Sequence, residues 1–258
     1  GWGFAGMGAM LAVYAASSFS RKTAYAVLCL IAAFTVLPPN SWYEPPETKG
    51  IMAVNTSFGR LGSGSFSFGR DYERANMVLG DLKKRNIAQS GVEIIVLPET
   101  IAGRLNETGM KLWKTEIQKI AKPGQAMIFG AELPTGDGMK YDNAMIMLND
   151  GKITASRQRI PVPFSMYRGP LAQTGANLNL RDSGILHFPD GRKAAVIICY
   201  EAFLTWPYVT SMIQNPDVII CAANLWWCRE TSLPETQRNV VTLWSLLFGV
   251  PAVFALNI

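Results

Sequence analysis

The chain has 258 residues, room for one α/β domain and a membrane piece, and 49% of them are hydrophobic against only 17% charged. Its net charge of +5 comes from scattered Lys and Arg rather than a basic stripe, which excludes a nucleic-acid surface. Four cysteines, at 29, 199, 221 and 228, make neither a C-x-x-C pair nor a framework spacing, and the lone His187 excludes a His-rich metal site, so no metal or cofactor is expected.

Much of the apolar excess lies at the start. Residues 1–19 carry no charge, SRK follows, and a second apolar run extends from Thr23 to Pro39. Each run approaches the length that crosses a hydrocarbon core of about 30 Å. Residues 1–39 therefore read as a transmembrane helical hairpin, the end of a truncated bundle, with Cys29 packed inside its second helix. Arg21 and Lys22 in the turn favour the cytoplasmic side. The chain after Pro39 then emerges on the periplasmic side of a bacterial inner membrane. Residues 40–50, with Pro45 and Pro46, read as a short stiff linker.

From residue 51 onward, strand and helix patterns alternate. IMAVNTSF reads as a strand, and a helix capped by Asp71 is expected to run to about Gln89. VEIIVLPE is the continuous apolar run of a strand buried on both faces. A helix over about 106–121 and the strand AMIFGAEL follow. Next comes a hairpin whose tip, Asp150-Gly151, suits the positive φ angles of a tight turn. A second strand pair turns at Pro189-Asp190-Gly191, and His187 sits where its first strand enters that turn. Helix 201–213, strand 217–223, helix 234–248 and strand 251–256 complete the order. Hairpins mixed with βαβ units predict a layered α/β sandwich over residues 51–258.

Two reactive groups stand at the ends of buried strands, where open α/β sheets bind ligands. Glu99 follows IIVLP; partial desolvation there raises its pKa and suits it to accept a proton. Cys199 ends AVIIC at a strand-to-helix turn, near amide N–H groups that favour the thiolate. Taken alone, a Glu in such a place is more often a helix-start or surface residue, and a Cys more often packing. Glu201 either returns to the same site or begins the next helix. Residues 156–169, SRQRIPVPFSMYRG, add a loop stiffened by Pro161 and Pro163.

Together these segments resemble the carbon–nitrogen hydrolase (nitrilase) superfamily, whose sites join a Glu, a Lys and a Cys. The similarity is to its apolipoprotein N-acyltransferase branch, which has a membrane bundle ahead of the nitrilase-like domain. Pro98-Glu99, Val162-Pro163-Phe164, Cys199-Tyr200-Glu201 and the loop from Asn224 to Trp227 match that branch in order and spacing, as do Pro234, Gly249 to Pro251 and Asn257. Two positions depart from it: the family Lys falls on Gln158, and the Glu after V-P-F falls on Met166. The stretch Gln158 to Pro163 with Ser165-Met166 looks closer still to the TraB conjugal transfer branch.

The resemblance implies a nitrilase-like α-β-β-α sandwich and a site of Glu99, Gln158 and Cys199, with Arg159, Glu201 and Asn224 in support. It implies acyl transfer or amide hydrolysis through a Cys thioester, a membrane lipid or amide as substrate, and lipoproteins or conjugation-apparatus proteins as partners. Gln158 brings no positive charge, and losing one oxyanion donor costs about 3–4 kcal/mol in a hydrolase. On a regular strand Arg157 and Arg159 point away from Gln158. Trp206, Trp226, Trp227, Phe164 and Tyr167 are expected around an acyl-binding mouth. The alternative reading is a degenerate, structural component of a conjugation apparatus.

Overall fold

The computed structural model describes residues 3–19, 25, 48–59, 68–86, 91–136 and 139–258. Helix α1 (Gly3–Phe19) is uncharged along its length. Its first turn rests on the chain's last helix, with the Phe4 and Phe248 rings edge-on at 5.0 Å. Seventeen residues make about 25 Å of helix. Among the described residues no helix is long and apolar enough to cross a membrane. The second apolar run, Cys29 and most of the linker lie outside the described residues.

Two sheets form the middle of the molecule. The first runs β1 (Ile51–Ala53), β2 (Ile94–Val96), β3 (Ala126–Thr135), β4 (Lys140–Asn149) and β5 (Lys152–Arg157), with the short β6 (Gly175–Ala176) beside β4. β1 to β3 are parallel, while β3–β4 and β4–β5 are antiparallel. Asp150 and Gly151, with φ of 44° and 80°, turn the β4–β5 hairpin as expected. The second sheet runs β10 (Ala252–Asn257), β9 (Val218–Asn224), β8 (Lys193–Ile198) and β7 (Ile185–His187), parallel except for β7.

Strand alternation sorts the side chains into three layers. Val96, Ile128, Met145 and Met147 of the first sheet meet Val196, Ile198, Ile220 and Ala255 of the second, so the sheets pack face to face. Helices α2 (Phe68–Lys84) and α3 (Glu107–Gln118) cover the outside of the first sheet through Val78, Leu82, Trp113 and Ile117. Helices α4 (Thr205–Met212) and α5 (Leu233–Phe248) cover the second through Tyr208, Met212 and Val241. The α-β-β-α sandwich is thus the observed fold.

Two helices differ from their expected form. α2 begins at Phe68, with Asp71 buried in its first turn beside Arg74 rather than capping it, and ends at Lys84 before Asn86 adopts φ 53°. The expected helix 201–213 is split. Cys199–Phe203 is a 3₁₀ turn, Leu204 is extended, and α4 then starts with Pro207 in its first turn. The cause is Glu201, whose carboxylate folds back to accept the Ile198 N–H at 3.0 Å and tightens the turn.

Candidate active site

Glu99 leaves the end of β2 on a backbone held tightly against β3. A Cβ on Gly130 would lie 2.3 Å from the Thr100 nitrogen and 2.5 Å from the Glu99 Cα, so only glycine allows that approach. Thr100 pays with φ 50°, a left-handed conformation unfavourable for a β-branched residue. The Glu99 carboxylate is thereby turned inward, where it accepts the Asn143 Nδ2–H at 2.7 Å and the Asn224 backbone N–H at 2.9 Å.

Cys199, at the end of β8, also has φ 50°. It lines the same cavity as Glu99, and its thiol lies close enough to feel the Glu99 charge. Burial pushes the Glu99 carboxyl up to about 7, against the opposing pull of the Asn143 amide, the neighbouring Cys199 thiol and the Asn224 N–H. Burial, and then the facing Glu99 charge, push the thiol well above its usual value. The expectation that the turn favours the thiolate is therefore corrected: burial and the facing Glu99 charge favour the protonated thiol, beside a base that titrates near neutrality.

Glu99 and Cys199 share a cavity of about 620 Å³ with Thr100, Glu132, Tyr141, Met166, Asn224, Trp226 and Trp227. Of the expected aromatic mouth, Trp226 and Trp227 line this space. Phe164 and Trp206 instead stand exposed, Phe164 almost completely, and neither they nor Tyr167 line it.

Gln158 sits behind the cavity wall rather than in it. Its Nε2 donates to the Ile198 carbonyl at 3.0 Å and its Oε1 accepts from Asn143 Nδ2 at 2.9 Å. Asn143 therefore bridges Glu99 and Gln158 with one amide group. Its own Oδ1 is buried without a partner among the described residues. Arg159 points the other way. Its Nε reaches Glu201 at 3.4 Å, and its terminal nitrogens donate to Pro207 O, Thr210 Oγ1, Ser211 Oγ and Val196 O. Glu201 in turn accepts the Arg159, Ile160 and Ile198 N–H groups. Arg159 and Glu201 thus fix the β5 exit against β8 and α4 and touch nothing in the cavity. Asn224 does contribute. Besides its N–H, its Nδ2 donates to Thr100 Oγ1 and its Oδ1 accepts from Asn257, both at 2.9 Å.

Comparison with solved structures settles the fold. An amidase of the nitrilase superfamily from Nesterenkonia superposes with a TM-score of 0.60, covering 82% of this chain and 78% of that one at 11% identity. The chain has the nitrilase fold. The glutamine-dependent NAD+ synthetase of Acinetobacter baumannii shares it over 73% of this chain and 36% of that one, with a TM-score of 0.55 and 15% identity. No protein-family model matches. Among curated proteins, the chain is 29% identical to a probable conjugal transfer protein TraB of Sinorhizobium fredii and 30% identical to the TraB of Agrobacterium fabrum. Both matches take in all of this chain, which spans 64% and 59% of those proteins, about three fifths of their length. An apolipoprotein N-acyltransferase of Sinorhizobium medicae is 26% identical over 64% of this chain and 34% of that protein.

Within this nitrilase fold, Glu132, Tyr141, Asn143 and Gly130 were not singled out in the sequence. A signal for three of them exists. Along β3 and β4, Glu132, Tyr141 and Asn143 occupy the inter-sheet face that Ile128, Met145 and Met147 fill with apolar groups. Polar residues ending such a stripe mark where the core gives way to a site. Gln237 of α5, buried and donating to the Cys199 carbonyl at 3.0 Å, had no comparable mark.

Proposed function

We propose that this chain is a cysteine-dependent acyl-transfer or amide-hydrolysing domain that works at a membrane and serves plasmid conjugal transfer. The observation carrying the reading is the meeting of Glu99 and Cys199 on the wall of one cavity of about 620 Å³. Glu99 takes the Sγ proton as Sγ attacks the carbonyl carbon of an ester or amide. The tetrahedral intermediate collapses, and its leaving group departs with the proton from Glu99, leaving a thioester on Cys199. An amine or water then loses a proton to Glu99 as it attacks the thioester. Product forms and the thiol is restored. The names of the TraB relatives support the link to conjugation, and that of the N-acyltransferase supports an acyl donor in the membrane. In one of the amidase structures, the acetamide moiety of fluoroacetamide is covalently added at the active-site cysteine, which supports the reading of Cys199 as a nucleophile. Membrane lipids or amides are the proposed substrates, lipoproteins or conjugation-apparatus proteins the proposed partners, and the periplasmic face of the inner membrane the proposed location.

A second reading has one observation in its favour. Both ends of the Gln158 amide are engaged and no Lys or Arg among the described residues lines the cavity, as a purely structural member of a conjugation apparatus would allow. Intact-mass measurement of the detergent-solubilised full chain after incubation with phospholipid, or with small esters and amides, separates the two. An acyl mass that hydroxylamine removes, absent in Cys199→Ala, is expected. No adduct from any of these donors would favour the structural role.

A further inference from the structure

An acyl-transfer site must stabilise the oxyanion that forms when the carbonyl is attacked, and removing one donor typically costs about 10²–10³-fold in rate. Gln158 cannot serve from its present position. Its Nε2 is spent on the Ile198 carbonyl, its Oε1 is an acceptor held by Asn143, and the residue is 1% exposed behind the cavity wall. The Asn224 N–H is spent on Glu99. Among the described residues lining the cavity there is no cation.

Among the lining groups with a proton to give, Tyr141 is the one whose strand position and surroundings the structure fixes. Tyr141 stands two residues before Asn143 on β4 and so faces the same way, toward the space between the sheets. Asn143 touches Glu99, which places Tyr141 one strand step further along the wall that Glu99 and Cys199 occupy. The ring is half-buried and fixed from one side by the Arg104 guanidinium, 5.4 Å from its centroid. Its hydroxyl makes no hydrogen bond among the described residues. Desolvation and the nearby Glu132 and Glu99 charges raise its pKa, so the phenol stays protonated throughout the range in which Glu99 can act as a base. A half-buried hydroxyl with no acceptor among the described residues can take one from outside the protein.

We infer that Tyr141 is the oxyanion donor of this site, standing in for the cation that position 158 does not supply. The inference rests on the proposed acyl chemistry. The phenol donates a hydrogen bond to the carbonyl oxygen as Sγ attacks, and it neither gains nor loses its proton in the step. Asp142, between Tyr141 and Asn143, points to the opposite face, where it accepts from Asn177, Asn179 and Arg157. Tyr141→Phe therefore removes the hydroxyl and leaves that framework in place.

The test compares two reactions of Cys199 in the full chain. Alkylation by iodoacetamide passes through no oxyanion, whereas acylation by a p-nitrophenyl ester does. Tyr141→Phe is expected to leave the alkylation rate within about twofold while lowering the acylation rate constant by about 10²-fold, with little change in the ester's apparent affinity. Equal acylation by Tyr141→Phe and the parent chain would overturn the role of Tyr141 alone. Ready alkylation with no acylation in the parent chain would show that the site has no working oxyanion donor. That outcome would overturn both this inference and the acyl-transfer reading. A matched loss of alkylation and acylation in the variant would assign Tyr141 to packing around Cys199 and also overturn the inference.

Discussion

Two buried polar clusters lie back to back across the peptide bond between Gln158 and Arg159, and they are built to opposite ends. The Arg159–Glu201 cluster is closed: each nitrogen of the guanidinium and both carboxylate oxygens have partners, and both residues are at most 1% exposed. The Glu99–Cys199 cluster is open. It keeps an amide oxygen on Asn143 without a partner among the described residues, left-handed backbone at Thr100 and Cys199, and a carboxyl near neutrality on a cavity wall. A closed cluster gives the chain rigidity and answers to no ligand, whereas an open one stores strain and unmet bonding that a substrate can use.

Substitutions in the closed cluster should cost stability. Arg159→Ala strands the Glu201 charge in the core and is expected to lower unfolding stability by about 3–5 kcal/mol in denaturant titration. Arg159→Lys should recover little of it, since one ammonium cannot replace donors spread over Glu201, Val196, Pro207 and Ser211. A loss under 1 kcal/mol in the alanine variant would mean the cluster is not the rigid side of the comparison.

Gly130→Ala tests the join between the sheet and the open cluster. Its Cβ meets the Glu99–Thr100 backbone, so about 1–3 kcal/mol of overpacking is expected together with slower Cys199 acylation. Undiminished stability and acylation would show that the backbone of Glu99 is freer than its contacts indicate.

Glu99→Gln should move stability the other way, by a smaller amount. The folded state holds the Glu99 proton more tightly than the unfolded chain does, because the carboxyl is raised to about 7. Its contribution is intact below the usual carboxylate range and is lost as pH rises to about 7. The melting temperature of Glu99→Gln relative to the parent should therefore be higher at pH 8 than at pH 5. A gap that narrows with rising pH would contradict the buried-base assignment.

The strand ends that carry Glu99, Cys199 and Asn224 were legible because buried apolar runs announce them, and the Asp150-Gly151 turn was legible from its backbone demands. Gln158 could be placed opposite Arg159 by strand alternation alone. Its confinement behind Asn143 could not, because that depends on the register of β4 against β5 and on side chains 15 residues apart. The split at Leu204 escaped for a similar reason. Helical patterning over 201–213 is local, whereas the fold of Glu201 back onto Ile198, Arg159 and Ile160 is tertiary. Gly130 reads as an ordinary strand glycine until β2's exit loop is laid across it.

The most direct test of the account is the pH dependence of Cys199 alkylation by iodoacetamide in the parent chain and in Glu99→Gln. If Glu99 is the base for Cys199, the parent rate rises through about pH 7 as the pair loses its first proton. The variant should lack that rise and react only at markedly higher pH, where its buried thiol ionises unaided. Superimposable profiles would mean that the two side chains touch without acting together, and the site as described here would not be a catalytic one.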